Sequence, residues 1–194
     1  MANIYKNKLS RSFKKHFFLP GRITWTKNIE LAISSFIIFS KTNSDFTLVI
    51  AGQLDAKNKD YYSKLFEEKH NNIVVNVNPT DKSMSKLYQN CYAVLCPALN
   101  EDWGITPIEA NSYGKPTICV NSGGFKESQI NNVTGYLVEP TPESFSKAMT
   151  KLVNNRKLTL ELGGNAFKNS LKYDWKIFVN KFEALLDTLI TVDR

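Results

Sequence analysis

A doubly wound, all-parallel α/β sheet followed by C-terminal helices is the fold class that these 194 residues predict, and three observations predict it. Short, continuously apolar runs rich in β-branched residues recur along the first 140 positions, as expected of strands buried on both faces. Between them lie stretches with apolar residues at helical spacing, so that strand and helix alternate regularly. After Pro140 the pattern becomes helical only.

The elements follow in order. An apolar run at 17–19 leads into Pro20-Gly21-Arg22, and Asn28 precedes a helix-like stretch reaching Lys41. Residues 46–51 (Phe-Thr-Leu-Val-Ile-Ala) read as a buried strand ending at Gly52. Residues 55–70 are polar, with Tyr61, Tyr62, Leu65 and Phe66 on one helical face, and 73–77 form the next strand. A short helix at 82–89 leads to strand 92–96. A polar loop and a short helix follow, then strand 117–120, a Gly123-Gly124 loop, a brief helix around Glu127 and a small strand at 136–138. Thr141-Pro142 starts a helix with Phe145, Ala148, Met149 and Leu152 on its apolar face. Two more helices are expected. One covers 157–171 despite the unfavourable pair Gly163-Gly164, and the other covers 175–190 with Phe178, Phe182, Leu185, Leu186 and Leu189 in one stripe.

Composition narrows the functional classes. With 25 basic and 18 acidic residues the chain carries +7, a charge that attracts phosphate-rich ligands, nucleic acid or an anionic membrane surface. Lys6, Lys8, Arg11, Lys14, Lys15, Arg22 and Lys27 all precede the first acid, Glu30, so residues 1–16 read as a basic leading arm or linker and 17–194 as one domain. An acid-free, Arg- and Ser-containing start also fits a transit peptide. Cys91, Cys96 and Cys119 form no Cys-x-x-Cys pair, which argues against a zinc site or a disulfide framework and for buried thiols in a reducing compartment. The longest apolar run, 29–40, falls well short of the roughly 20 residues a membrane span needs. A soluble, cytoplasmic protein is expected, with peripheral attachment to the inner face of a membrane compatible with the charge.

The stretch from Pro97 to Pro116 concentrates the candidate chemistry. Glu101 and Glu109 stand there with seven residues between them, at a loop-to-helix turn where acidic side chains and backbone N–H groups together suit a ligand bearing hydroxyls and phosphate. In open α/β sheets ligands bind beyond the carboxyl ends of the strands, which selects loops 21–27, 52–55, 76–80, 98–106 and 121–126. Arg22 and Lys27 in the first of these could neutralise a diphosphate, with Gly21 providing the sharp turn, and the same spacing fits two solvated cations. Thr106-Pro107-Ile108-Glu109 matches a capping box in which Thr106 caps, Pro107 takes the first helical position and Glu109 reaches back to the Thr106 N–H. Glu101 has no such duty, although a lone loop acid is commonly just hydrated. Trp103 fits either a core position or a stacking wall.

The order of these motifs carries a resemblance. Gly21-Arg22 with Lys27, Glu101-x7-Glu109 with Trp103-Gly104, Gly114-Lys-Pro116, Gly123-Gly124-x-x-Glu127 and Thr134-Gly135 together resemble the nucleotide-binding, Rossmann-like C-terminal half of GT-B fold, family 4 retaining glycosyltransferases. The run from Asn100 to Ala110 is similar to the mannosyltransferase-type members. The resemblance implies that Arg22 and Lys27 hold the donor diphosphate, that Glu109 bonds the ribose hydroxyls, and that Glu101 with the N–H groups of Gly104, Ile105 and Thr106 contacts the donor sugar. Arg22, Lys27 and Glu101 are then the expected catalytic residues, and Gly21, Arg22, Lys27, Glu101, Gly104, Ile105, Thr106 and Glu109 the donor-binding set. The donor implied is a nucleotide sugar such as GDP-mannose, and the acceptor a glycan or lipid-linked acceptor. Neither a cofactor nor a metal is expected, in keeping with the lack of any Asp-x-Asp.

Two departures fall near the base. Family members commonly carry Gly-x-Gly where this chain has Gly52-Gln53-Leu54, and a glycine where it has Asn78. The resemblance also implies a facing acceptor-binding domain, for which nothing before Phe17 suffices, so the chain is expected to be an inactive half by itself, its last helix crossing onto that domain. The alternative from another class is a non-catalytic nucleotide- or nucleic-acid-binding module driven by the basic arm.

Overall fold

A computed structural model describes residues 9–68 and 70–192. Lys6 and Lys8 of the leading arm lie outside the described residues. Six strands, β1 (His16–Pro20), β2 (Thr47–Gly52), β3 (Ile73–Val77), β4 (Ala93–Cys96), β5 (Thr117–Val120) and β6 (Gly135–Val138), form one sheet in the order β3-β2-β1-β4-β5-β6. Every neighbouring pair is parallel, with Leu19 opposite Ile50, Phe18 opposite Val94 and Cys96 opposite Cys119. This is the strand order of the doubly wound fold, reversing direction between β1 and β4.

The helices are α1 (Ile29–Ser40), α2 (Lys59–Leu65), α3 (Asp81–Asn90), α4 (Ile105–Ser112), α5 (Phe125–Ser128), α6 (Pro142–Asn154), α7 (Arg156–Ser170) and α8 (Trp175–Val192). Side chains alternate across each strand and so sort into two cores. Phe17, Leu19, Leu48, Ile50, Leu95 and Ile118 meet Phe36 and Phe39 of α1, Phe145 and Met149 of α6, and Leu162 of α7. Phe18, Val49, Val94, Cys96 and Cys119 face the other way, onto Tyr88 of α3, Ala110 of α4, Tyr113 and Phe125. Burial on both faces is why these strands read as unbroken apolar runs.

Helix starts follow local chemistry. Thr80 and Thr141 cap α3 and α6, their hydroxyls accepting from Ser83 and Ser144 N–H, and Pro142 occupies the first position of α6. The helix expected over 55–70 is shorter: a 3-10 turn at Ala56–Asn58 leads into seven helical residues ending at Leu65. Beyond Phe66 the segment turns to Glu67-Glu68 and offers no further apolar residue to hold a helix on the sheet. Gly163 and Gly164 sit inside an unbroken α7. All three cysteines are buried and free.

The described residues before β1 lie against the domain. Ser10 N–H donates to the Tyr113 carbonyl and Lys14 N–H to that of Asn90, while the fully buried Lys115 ammonium donates to the Ser12 carbonyl and sits 4.0 Å from the Phe13 ring centroid. No helix among the described residues is long and apolar enough to cross a membrane.

Candidate nucleotide-binding crevice

The loops after β1, β4 and β5 meet at the carboxyl edge of the sheet. After Pro20 the chain folds over the end of β2, with Gly21 N–H donating to Ala51 and Ile23 N–H to Gln53. A 3-10 turn at Trp25–Lys27 then opens against Thr24, whose hydroxyl accepts from Thr26 N–H. It closes on Asn28, which is in the left-handed conformation (φ 49°) and donates its side-chain amide to the Pro97 carbonyl at 3.1 Å. That bond ties the β1 loop to the β4 loop across the strand-order reversal. The β4 loop is tied in turn to the β5 loop, because Gly124 N–H donates to the Glu101 carbonyl at 2.8 Å.

These ties bring Lys27 and Glu101 together. Lys27 Nζ donates to Glu101 Oε2 at 2.7 Å, each side chain about a quarter exposed. Both line a crevice with Thr106, Leu19, Cys96 and Phe125. Gly21 backs onto the Lys27 side chain, and the neighbouring Arg22 guanidinium is exposed, with no hydrogen bond or ion pair to another described residue. The crevice therefore offers a paired cation, a carboxylate and a thiol, with an open cation next to it in the same loop as Lys27. Burial pushes the Cys96 thiol well up, aided by its hydrogen bond with Cys119, so it stays protonated.

The capping box at Thr106 does not form. Gly104 (φ 79°) is the residue before α4, no side chain caps the helix, and Thr106 and Pro107 fall at its second and third positions. Only glycine suits this turn: its φ is left-handed and a Cβ would lie 2.6 Å from the Phe125 ring. Pro107 is tolerated because the first-turn N–H groups have no intrahelical partner in any case. Without a side-chain cap, the start of α4, with Gly104 buried and Ile105 exposed, opens beside Thr106 on the crevice wall.

Glu109 lies one turn along α4, on the face of Ile105 and Thr106. Instead of reaching back to the helix start, it accepts a hydrogen bond from the Tyr88 hydroxyl of α3 at 2.8 Å. Burial raises its pKa, and the Tyr88 bond partly offsets that rise. Sequence reasoning missed Tyr88, whose partner is 21 positions away and unmarked by any local motif. It also left the two glycine departures unexplained. Asn78 adopts the left-handed φ of 51° that a glycine would, and its side-chain oxygen accepts from Leu54 N–H at 3.0 Å, joining the two departing loops to each other. Trp103 is 39% exposed and meets Tyr173, in the turn before α8, edge-on at 5.4 Å. Among the described residues no group of three His, Cys, Asp or Glu side chains could hold a metal ion.

Comparison with known proteins agrees with this architecture. Alpha-1,3/1,6-mannosyltransferase ALG2 of Mus musculus is 33% identical over 171 residues, covering 79% of this chain and 41% of the relative. ALG2 of Dictyostelium discoideum is 27% identical over 201 residues, covering 94% and 48%. The chain thus spans less than half the length of these curated relatives. Among solved structures, the C-terminal domain of the Francisella tularensis glycosyl transferase group 1 family protein LpcC superposes with a TM-score of 0.75 at 22% identity, covering 84% of this chain and 88% of that one. Staphylococcus aureus TarM superposes with a TM-score of 0.81 at 24% identity, covering 92% and 37%. These structural likenesses bear on the fold alone. The family model described as glycosyl transferases group 1 matches residues 2–169. With that match running from the leading segment through α7, the chain belongs to the glycosyl transferases group 1 family.

Proposed function

We propose that residues 17–194, behind a basic leading arm at 1–16, are the donor-binding domain of a retaining, metal-independent family 4 glycosyltransferase. It passes a hexose from a nucleotide sugar to a glycan or lipid-linked acceptor. The mannosyltransferase activity named for the ALG2 relatives favours mannose as that hexose, with GDP-mannose as the donor in this reading. The carrying observation is the convergence of Lys27 and Glu101 from loops on either side of the strand-order reversal, beside the open Arg22 and the uncapped start of α4. Doubly wound sheets bind phosphorylated ligands at such a point.

In this reading Arg22 and Lys27 hold the donor diphosphate, and the N–H groups of Gly104, Ile105 and Thr106 with Glu101 hold the sugar. Glu109 takes the ribose hydroxyls. As the bond from the anomeric carbon to the diphosphate breaks, negative charge gathers on the leaving phosphate. The two cations stabilise that charge more in the transition state than in the ground state, which is what accelerates a reaction. They supply the charge that a divalent ion would otherwise provide. The acceptor is bound by a facing domain, so this chain by itself binds donor and turns over little. A surplus of seven positive charges suits peripheral contact at an anionic inner membrane face, and three buried free cysteines suit a reducing, cytoplasmic compartment.

Calorimetry with GDP and UDP tests the assignment. Arg22→Ala and Lys27→Ala should each weaken binding of the responding nucleotide by about tenfold, the loss of one charge-assisted hydrogen bond. Unchanged affinity in both variants would overturn the diphosphate assignment.

A further inference from the structure

We propose that Tyr88 is a positioning residue of the donor site, holding the Glu109 carboxylate in the orientation that accepts the vicinal hydroxyls of a ribose. The proposal rests on the ribose reading of Glu109 given above and adds the residue that makes that carboxylate selective.

The Tyr88 ring is 5% exposed and clamped on two sides. It meets Phe18 of β1 edge-on at 5.0 Å and stacks on Tyr113 at 5.3 Å with the planes only 3° apart. Tyr113 is fixed in turn, its hydroxyl pairing at 3.2 Å with Ser85 Oγ one turn before Tyr88 on α3. The Tyr88 hydroxyl therefore has one place to go, and it donates to Glu109 Oε2 at 2.8 Å. An ionised carboxylate is an acceptor only, with about four lone-pair sites. Tyr88 fills one on Oε2, and Oε1 has no hydrogen-bond partner among the described residues. Left alone, a carboxylate turns about its last torsion, which is broad and soft. The tyrosine fixes that torsion, so Oε1 and the remaining Oε2 lone pair present a rigid pair of acceptors to two adjacent hydroxyls. Its donation also opposes the effect of burial, which pushes Glu109 toward the protonated form.

The experiment compares wild type, Tyr88→Phe, Glu109→Gln and the double variant by calorimetry. The probes are GDP and UDP, the 2′,3′-dideoxy form of whichever binds, and pyrophosphate. Tyr88→Phe should weaken the ribonucleotide about threefold to tenfold, the worth of one hydrogen bond. It should leave pyrophosphate and the dideoxy nucleotide unchanged, and the double variant should be no weaker than Glu109→Gln. The pH below which the advantage of ribonucleotide over dideoxynucleotide is lost should rise in Tyr88→Phe, because the carboxylate loses a donor. A Tyr88→Phe domain that keeps wild-type ribonucleotide affinity while Glu109→Gln loses it would overturn the role of Tyr88 alone. So would equal weakening of all three probes with a lowered Tm, which marks a packing role. If Glu109→Gln keeps the ribose advantage, or neither nucleotide binds wild type, the donor reading falls and the role of Tyr88 with it.

Discussion

Lys27 and Glu101 neutralise each other across the crevice at 2.7 Å, so a donor that needs the lysine must compete with the glutamate. Glu101→Gln should free Lys27 and strengthen GDP binding by about twofold to fivefold, the range of a partly exposed ion pair. On the proposed donor reading, the same change should weaken GDP-mannose relative to GDP, because the sugar loses an acceptor. Paired titrations with the two ligands measure both shifts, and a uniform weakening of both would deny Glu101 its sugar-side role. Lys115 permits a second residue-scale prediction. It is fully buried, and burial pulls its pKa from 10.5 down to about 8. Between those values the unfolded chain binds more protons than the native one, so this residue's contribution to stability improves as pH rises through the window. Urea unfolding of wild type and Lys115→Met should show wild type gaining about 1 kcal/mol on the variant between pH 7.5 and 9. Comparing the two proteins cancels the opposing titration of the Cys91 thiol, which burial pushes up to about 12.

Elements built from continuous apolar runs were legible in the sequence because burial on both faces leaves no other residue choice, and β2, β4 and β5 fall within a residue of where they were expected; β3 does so too, although it is the edge strand and leaves Val74 and Val77 exposed. The carboxyl-edge rule also named the loops that meet in the crevice. Illegible were features set by contacts distant along the chain. The start of α4 is fixed by Gly104 packing on Phe125, not by the Thr106 motif beside it, and Glu109 is claimed by a tyrosine from another helix. The Gly163-Gly164 pair in α7 is a further case, since composition alone counts both glycines against a helix. A Cβ on Gly163 would come 2.4 Å from the Gly114 carbonyl oxygen, whereas one on Gly164 would meet nothing within 4 Å. Gly163 is thus the price of close packing between α7 and the end of α4, and Gly164 has no such reason. Gly164→Ala should stabilise the domain by about 0.5–1 kcal/mol, the helix-propensity gain. Gly163→Ala should destabilise it by about 1–3 kcal/mol through overpacking. Thermal unfolding separates the two, and equal effects would refute the packing account.

At the scale of the whole molecule, the chain is one continuous sheet with two cores, a crevice at its carboxyl edge, and a terminal helix whose apolar face has no covering element among the described residues. Asp174 accepts from the Lys176 N–H and starts α8, whose principal contact with the domain is the turn at Leu171–Tyr173. Trp175, Phe178, Phe182, Leu185, Leu186 and Leu189 line the helix at 62%, 55%, 50%, 56%, 41% and 58% exposure, with Phe178 stacked between Trp175 and Phe182. Six large apolar residues in one stripe exceed the scattered apolar exposure normal for a monomer and mark a surface made to be covered. The chain spans less than half of its curated relatives, and a facing domain would supply that cover. In a protein of these 194 residues alone, the stripe should pair with itself. Sedimentation velocity at increasing concentration should show reversible self-association, abolished by Phe178→Glu with Phe182→Glu or by truncation after Asp174. Both changes keep Tyr173 against Trp103 and leave the crevice intact, so nucleotide affinity should be unchanged in the monomeric variants. A wild-type chain that stays monomeric throughout would show that the stripe is not adhesive. Loss of nucleotide binding on truncation would show instead that α8 supports the site through the Tyr173 turn.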